Sequence, residues 1–294
     1  MKNIAFIINP ISGTPSNKRK LPKLIEKELD REQWLPTIVF TEYAGHATEL
    51  ARQFARMEFD AVVAVGGDGT VNEVAQGLRD TGVALGILPQ GSGNGFARHL
   101  HMPVNTARAI QLLNHSEPIR CDYGLANERL FVSTCGTGFD ALIADQFAGS
   151  ARRGFKTYFQ NVVKDLLSYK SQNYHIVGDD LDITHRAFLI AFANASQWGY
   201  EAYIAPQASI QDGKMDICMM SSSALLGAPG LALRLFTKSI DNSLFMDTVR
   251  AREVMLYREE DGPFHIDGEP VNIGKDIHIQ IVPDGLTVLA EKRF

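Results

Sequence analysis

Apolar residues along this chain fall in short runs, and turns interrupt them. Residues 4–8 (IAFII), 36–40, 60–65 (DAVVAV) and 83–88 (VALGIL) are such runs, most of them closed by a polar or glycine-rich turn. Runs of this length bounded by turns predict strands, and those apolar throughout predict burial on both faces. Between them the spacing changes to threes and fours, as at Leu21, Leu24, Ile25 and Leu29, then Ala47, Leu50, Ala51, Phe54 and Ala55. That period predicts helices over 20–29 and 46–57, with further helices over 70–78 and 105–114. Pro22 falls in the first turn of the first helix, where proline is tolerated. The recurrence of strand, loop and helix over residues 1–114 predicts an α/β domain with a mostly parallel sheet covered by helices. Ligands of such sheets bind outside the carboxyl ends of the strands. The loops at 9–14, 66–70 and 90–95 should gather there.

The texture changes after about residue 120, where short strand-like segments dominate. They lie at 130–134, 174–177, 187–193, 215–220, 252–257, 264–266, 277–281 and 287–290, many separated by polar turns such as VGDD, EEDG and PDG. Helical patterns interrupt them near 153–169 and 222–237. The expectation is a second, largely antiparallel β domain. The division is 1–125 and 126–285.

Composition narrows the class. The 294 residues are 45% hydrophobic and 21% charged, ordinary for one large or two modest globular domains. The formal net charge of −5 lends no support to a nucleic-acid partner. Cys121, Cys135 and Cys218 match no zinc spacing and read as buried, reduced thiols of a cytoplasmic protein. The N-terminal apolar stretch is too short for a signal segment. No stretch approaches the roughly 20 apolar residues that a spanning helix needs. A soluble protein is expected, with no transmembrane segment.

The densest candidate chemistry is AVVAVGGDGTVNEVA, residues 61–75. Gly66 and Gly67 let backbone approach a ligand closely. A helix starting near Thr70 would aim its first N–H groups at the same place, which suits phosphate. Asp68 does not suit phosphate directly, and a divalent cation between the two resolves the conflict. The plainer reading is a turn in which Asp68 caps a helix. The stretch lacks the lysine of a P-loop and the GxGxxG spacing of a dinucleotide fingerprint. PQGSGNGFA (89–97) adds Gly91, Gly93 and Gly95 around Ser92 and Asn94, small polar groups able to donate to phosphate or a nucleotide ring. The loop at 9–14 adds Asn9, Ser12 and Gly13, followed by Lys18, Arg19 and Lys20.

The motifs together resemble the diacylglycerol kinase catalytic-domain family, which includes bacterial lipid kinases and sphingosine kinases. They are NPISG (9–13), GHA (45–47), VGGDGTVNEVAQGL (65–78), LPQGSGNGFAR (88–98), GTGFDA (136–141), DGKMD (212–216) and IDGEP (266–270). The resemblance implies a Rossmann-like first domain, similar to those of NAD kinases and phosphofructokinases. It also implies a C-terminal antiparallel β-sandwich, a last strand near 286–294 returning to the first domain, and ATP bound between the domains. It implies γ-phosphate transfer from ATP, with Mg2+, to a lipid hydroxyl at a membrane surface on the cytoplasmic side. Asn9, Gly13, Thr41, Gly67, Asp68, Gly69, Thr70, Asn72, Glu73, Gly91 and Ser92 match nucleotide-side positions, with Gly66 and Asn94 beside them. Asp68 is expected near the metal and Asp216 at a second metal-linked position. Asp267 matches the proposed catalytic base and Glu269 its acidic neighbour. Gly95 departs from the GTxND pattern usual in bacterial diacylglycerol kinases, so the acceptor stays open between a diacylglycerol and a sphingoid base.

The residues allow a direct reading of the same chemistry. Phosphoryl transfer needs charge neutralisation, alignment and removal of the hydroxyl proton. Asp68 with Mg2+, the glycine loops and Asp267 would supply these in turn. An extended backbone would set Asp267 and Glu269 on one side. Asp140, after GTG, could orient a lipid hydroxyl or amine, or serve packing or a turn. The apolar and basic stretches 152–170 and 225–240 read either as membrane-surface helices or as helices packed on the β domain. An NAD kinase-like enzyme and a nucleotide-responsive regulator are the competing readings, and a homodimer is left open.

Overall fold

The computed structural model describes residues 1–13, 20–150, 169–178 and 180–291. The chain divides into two compact units, Met1–Asp122 with Pro283–Phe294, and Tyr123–Val282.

The first unit alternates strands and helices: β1 (Lys2–Ile8), α1 (Leu21–Glu28), β2 (Trp34–Phe40), α2 (His46–Arg56), β3 (Ala61–Gly66), α3 (Asp68–Leu78), β4 (Ala84–Pro89), α4 (Gly95–His99) and α5 (Thr106–Leu113). Strand order is β2-β1-β3-β4, all parallel, with residues 287–288 of the last strand parallel beside β4. Every residue of β3 and β4 is buried, as the unbroken apolar runs require. β2 contains Pro36 and is only partly buried, consistent with a place at the sheet edge. Asn105 caps α5 by accepting from the Arg108 N–H at 3.1 Å. α3 begins at Asp68, two residues before the expected start at Thr70, so the aspartate lies in the first helical turn.

α2 and α3 pack closely at Gly77. A Cβ there would lie 2.6 Å from Ala51 Cβ and 2.7 Å from the Thr48 carbonyl oxygen. Glu73 stands one turn before Gly77 on the same face. The close crossing therefore brings Glu73 to the start of α2.

The second unit contains β5 (Glu117–Ala126, entering from the first), β6 (Arg129–Phe131), β7 (Thr134–Gly138), α6 (Phe139–Ser150), β8 (Gln172–Gly178), β9 (Leu181–Ala193), β10 (Gln197–Gly199), β11 (Ala202–Tyr203) and β12 (Met215–Ser221). A 3-10 turn (Ala224–Gly227), α7 (Ala228–Phe236), β13 (Met246–Ala251), β14 (Glu253–Arg258), β15 (Phe264–Ile266), β16 (Glu269–Val271) and β17 (Asp276–Ala290) follow. The pairings within this unit are antiparallel. Alternation along β12 sends Met215, Ile217 and Met219 into one apolar cluster and Cys218 and Met220 into another, so both faces are covered.

Several expected boundaries move. The helix expected over 153–169 lies outside the described residues except for its last position. The expected strand over 130–134 divides into β6 and β7 around Val132 and Ser133. The PDG at 283–285 does not end a strand: β17 runs through it, with 276–280 beside β14 and 287–288 beside β4. Asp284 adopts φ +54, and its N–H donates to Asp122 Oδ1 at 2.9 Å. Cys121, Cys135 and Cys218 are all free and buried, and burial pushes each thiol up from its ordinary range.

Gly77→Leu should overpack the α2–α3 crossing and lower stability by about 1–3 kcal/mol. A fall in the urea midpoint at unchanged slope checks this.

Candidate active site

The loops after β1, β3 and β4 are bound to one another. The Asn9 side-chain amide donates to Thr70 Oγ1 at 3.0 Å, and its N–H donates to the Val65 carbonyl at 3.0 Å. Asn9 Oδ1 accepts from the Ile11 N–H, turning the chain after β1. The Gln90 N–H donates to the Gly66 carbonyl at 2.8 Å. A Cβ on Gly91 would lie 2.6 Å from Gly67 Cα, and one on Gly13 would lie 3.0 Å from the Gln90 carbonyl oxygen. These glycines thus let the loops reach one another, in addition to any ligand they admit.

Asp68 completes the linkage. Its Oδ2 accepts from the Asn94 N–H and its Oδ1 from the Gly95 N–H, both at 2.8 Å. The Asn94 side chain closes its own loop, accepting from the Gly91 N–H and donating to the Gly91 carbonyl. Ser92 is exposed at the tip, Thr41 and Thr70 are buried, and Gly69 and Asn72 lie in the first turns of α3. Glu73 has a different task. Its carboxylate accepts from the Gly45 and Ala47 N–H groups at 2.9 and 3.1 Å, capping α2 within the GHA turn. Gly45 has φ +88 and no cap of its own, so the cap comes from 28 residues along the chain.

In the second unit, Asp267 and Gly268 form the two-residue turn between β15 and β16, with φ +49 and +82. Positive φ at both positions is the demand of a type I′ hairpin, which an Asp-Gly pair meets. The Asp267 side chain is only 8% exposed. Its carboxylate accepts from the N–H groups of Val132 at 3.0 Å, Ser133 at 2.8 Å and Thr134 at 3.1 Å. This explains the break between β6 and β7: the amides at 132–134 turn to the carboxylate. The expected extended run from Asp267 to Glu269 is therefore absent. The hairpin turns Asp267 inward and leaves Glu269 exposed.

Asp216 lies on β12 and is buried, with the Arg250 guanidinium Nε 2.6 Å from its Oδ1. A guanidinium thus meets the carboxylate that was expected beside a metal, and Asp212 Oδ2 lies 3.8 Å from the same Arg250. Burial pushes the Asp216 carboxyl up, against the opposing hydrogen bond from Arg250. Among the described residues, no group of three or more His, Cys, Asp or Glu could hold a metal ion. Asp68 offers a single oriented carboxylate, which suits Mg2+ shared with phosphates and water, since that ion commonly uses one or two carboxylates.

Sequence reasoning missed the partners of these acids, and it missed the pairing of His265 with Asp140 at 3.0 Å. Alternation along β15 sets His265 on the face opposite Phe264 and Ile266, and nothing in the local sequence shows that this face is also buried or names its partner.

An α/β unit with glycine loops joined at the carboxyl ends of its parallel strands, followed by an antiparallel β unit, defines a two-part Rossmann-like and β-sandwich protein. The chain belongs to the diacylglycerol kinase catalytic-domain family: residues 3–126 match the diacylglycerol kinase catalytic domain, and residues 133–290 match the YegS C-terminal NAD kinase beta sandwich-like domain. Proteins of Yersinia pestis (strain Pestoides F) and Yersinia pseudotuberculosis (serotype O:1b), each named "Probable lipid kinase YegS-like", are 28% identical over 283 residues, 94% of either chain. The fold is shared with a diacylglycerol kinase structure from Bacillus anthracis strain Sterne, at 20% identity and TM-score 0.75, covering 99% of this chain and 97% of that one. A further structure from that organism has 22% identity and TM-score 0.79, covering 99% and 98%.

Asp267→Asn places an NH2 among N–H donors that a carboxylate now receives. Stability should fall by about 1–3 kcal/mol with no ligand present, which urea unfolding measures. His99, at the end of α4, is lowered to about 4, first by burial and then by His101. The unfolded chain takes up this proton below about 6.5 and the folded chain does not. Stability should therefore be full above about pH 6.5 and decline toward about pH 4, by at most about 3 kcal/mol. Unfolding at pH 7 and pH 5 should show a smaller difference in His99→Gln than in the parent chain.

Proposed function

We propose that this protein is an ATP-dependent lipid kinase that transfers the γ-phosphate to the hydroxyl of a diacylglycerol or sphingoid-base-like lipid. The observation that carries the reading is the joined set of loops around Gly66–Thr70. Helix α3 starts within it, and its first N–H groups suit an anion. In this reading the first unit binds ATP through Asn9, Gly13, Gly66, Gly67, Gly69, Thr70, Gly91, Ser92 and Asn94. Thr41 and Asn72 stand on the nucleotide side, and Glu73 acts through the GHA turn it caps. Asp68 would hold Mg2+, which when bound neutralises phosphate charge. Joined loops need little reordering when they align a phosphate, and alignment is a large part of phosphoryl-transfer catalysis.

The second unit is assigned the lipid acceptor. Asp267 takes the hydroxyl proton in this scheme, with its orientation set by the amides of 132–134. Glu269 is its exposed acidic neighbour. The family membership and the relatives' names support the lipid class. Leu233 and Phe236 of α7 are exposed, as is Leu244, 99% exposed, with Arg234 and Lys238 close in sequence. Apolar side chains beside basic ones suit contact with a lipid surface. A cytoplasmic protein, peripheral at the inner face of the membrane, follows from this reading. Among the described residues no helix is long and apolar enough to cross a membrane.

Labelled ATP with Mg2+, offered with diacylglycerol, a sphingoid base and NAD in parallel, tests the assignment. Label should pass to a lipid, and Asp68→Ala should lower its rate on the order of 100-fold. Transfer to NAD alone, or ATP binding without transfer to any acceptor, contradicts it.

A further inference from the structure

The β15–β16 hairpin holds a buried histidine–carboxylate hydrogen bond that the transfer scheme does not use. His265 lies on β15, two residues before Asp267, and is 3% exposed. In the β7–β15 ladder it stands opposite Gly136. A Cβ at 136 would lie 3.0 Å from Asp140 Oδ2, 3.1 Å from His265 Nε2 and 2.6 Å from the Ile190 carbonyl oxygen. The glycine leaves the space in which His265 Nε2 and Asp140 Oδ2 meet at 3.0 Å. Asp140 lies in the first turn of α6, where its Oδ1 accepts from the Ala141 N–H at 2.8 Å. On the other side of the ring, His265 Nδ1 accepts from the Gly268 N–H at 3.3 Å.

The two contacts assign a tautomer. An N–H aimed at Nδ1 requires a lone pair there, so the ring proton resides on Nε2 and points at the carboxylate. Gly268 is the second residue of the turn whose first residue is Asp267. Asp267 holds a left-handed backbone conformation, φ +49, which few non-glycine residues adopt. That conformation needs neighbours that hold it.

We propose that His265 is a positioning residue: Asp140 selects its Nε2–H tautomer, and Nδ1 then holds the Asp267–Gly268 turn in the conformation that aims the Asp267 carboxylate. A carboxylate behind a histidine sets the ring's orientation and its acceptor nitrogen in the same way at metal centres. The activity readout of this proposal rests on the lipid-kinase reading, and the spectroscopic readout does not. The competing account is a buried histidine satisfied by its neighbours, whose loss only destabilises the unit.

Asn and Gln each reproduce one ring nitrogen. His265→Asn sets an amide oxygen near the Nδ1 position and gives up Asp140. His265→Gln reaches the Nε2 position and gives up the acceptor for Gly268. With the lipid acceptor, His265→Gln should lower kcat by about 10-fold or more with little change in the KM for ATP, and His265→Asn should recover most of that loss. Equal losses in both variants, following their loss of stability, overturn the proposal. Independently of activity, the full chain labelled with 15N-histidine should show His265 Nδ1 unprotonated and Nε2 protonated, and the Gly268 amide should exchange faster in His265→Gln than in His265→Asn. A protonated Nδ1, or equal exchange in the two variants, overturns it. If the parent chain transfers phosphate to no acceptor, the lipid-kinase reading fails while these two measurements still decide the role of His265.

Discussion

The interaction on which much of this structure depends is a carboxylate that collects backbone N–H groups from a distant loop. Glu73 gathers Gly45 and Ala47, Asp68 gathers Asn94 and Gly95, and Asp267 gathers Val132, Ser133 and Thr134. Irregular backbone near a buried site carries donors that strands and helices do not satisfy. An ionised acceptor satisfies two or three at once, with bonds stronger than neutral ones. Loops held in this way are ordered before a ligand arrives, so less ordering entropy is lost on binding.

This arrangement changes how the acidic motifs are understood. In GGDGT the aspartate is both a helix-start residue and a brace across to the loop after β4. The glycines around it serve that brace, because a side chain at Gly91 would meet the backbone of Gly67. In IDGEP the aspartate forms a hairpin turn and divides β6 from β7. Removing either carboxylate would alter both local order and chemistry. A lost activity therefore implicates the side chain in chemistry only when stability is measured beside it.

The parallel sheet was the most legible part of the sequence. Strands β1, β3 and β4 are apolar on both faces, and that pattern is local. The glycine loops were legible as a group because each follows such a strand. The start of α3 was displaced by two residues because Asp68 and Gly69 are weak helix formers, and a tertiary hydrogen bond to 94–95 outweighs that preference. The acids' partners were not legible. They lie 26 residues away for Asp68 and Asn94 and 135 away for Asp267 and Val132, and no periodicity encodes such pairings. The extended geometry expected for Asp267 and Glu269 failed for a local reason that was visible, since Asp-Gly between short apolar runs is a hairpin signal.

Asp68 preassembles the loops after β3 and β4 before any ligand binds. Native-state amide hydrogen exchange on the ligand-free full chain tests this most directly at Asn94 and Gly95. Protection at these two amides comparable to that of β3 and β4 is the predicted result. Exchange at the rate of an open surface loop would contradict it.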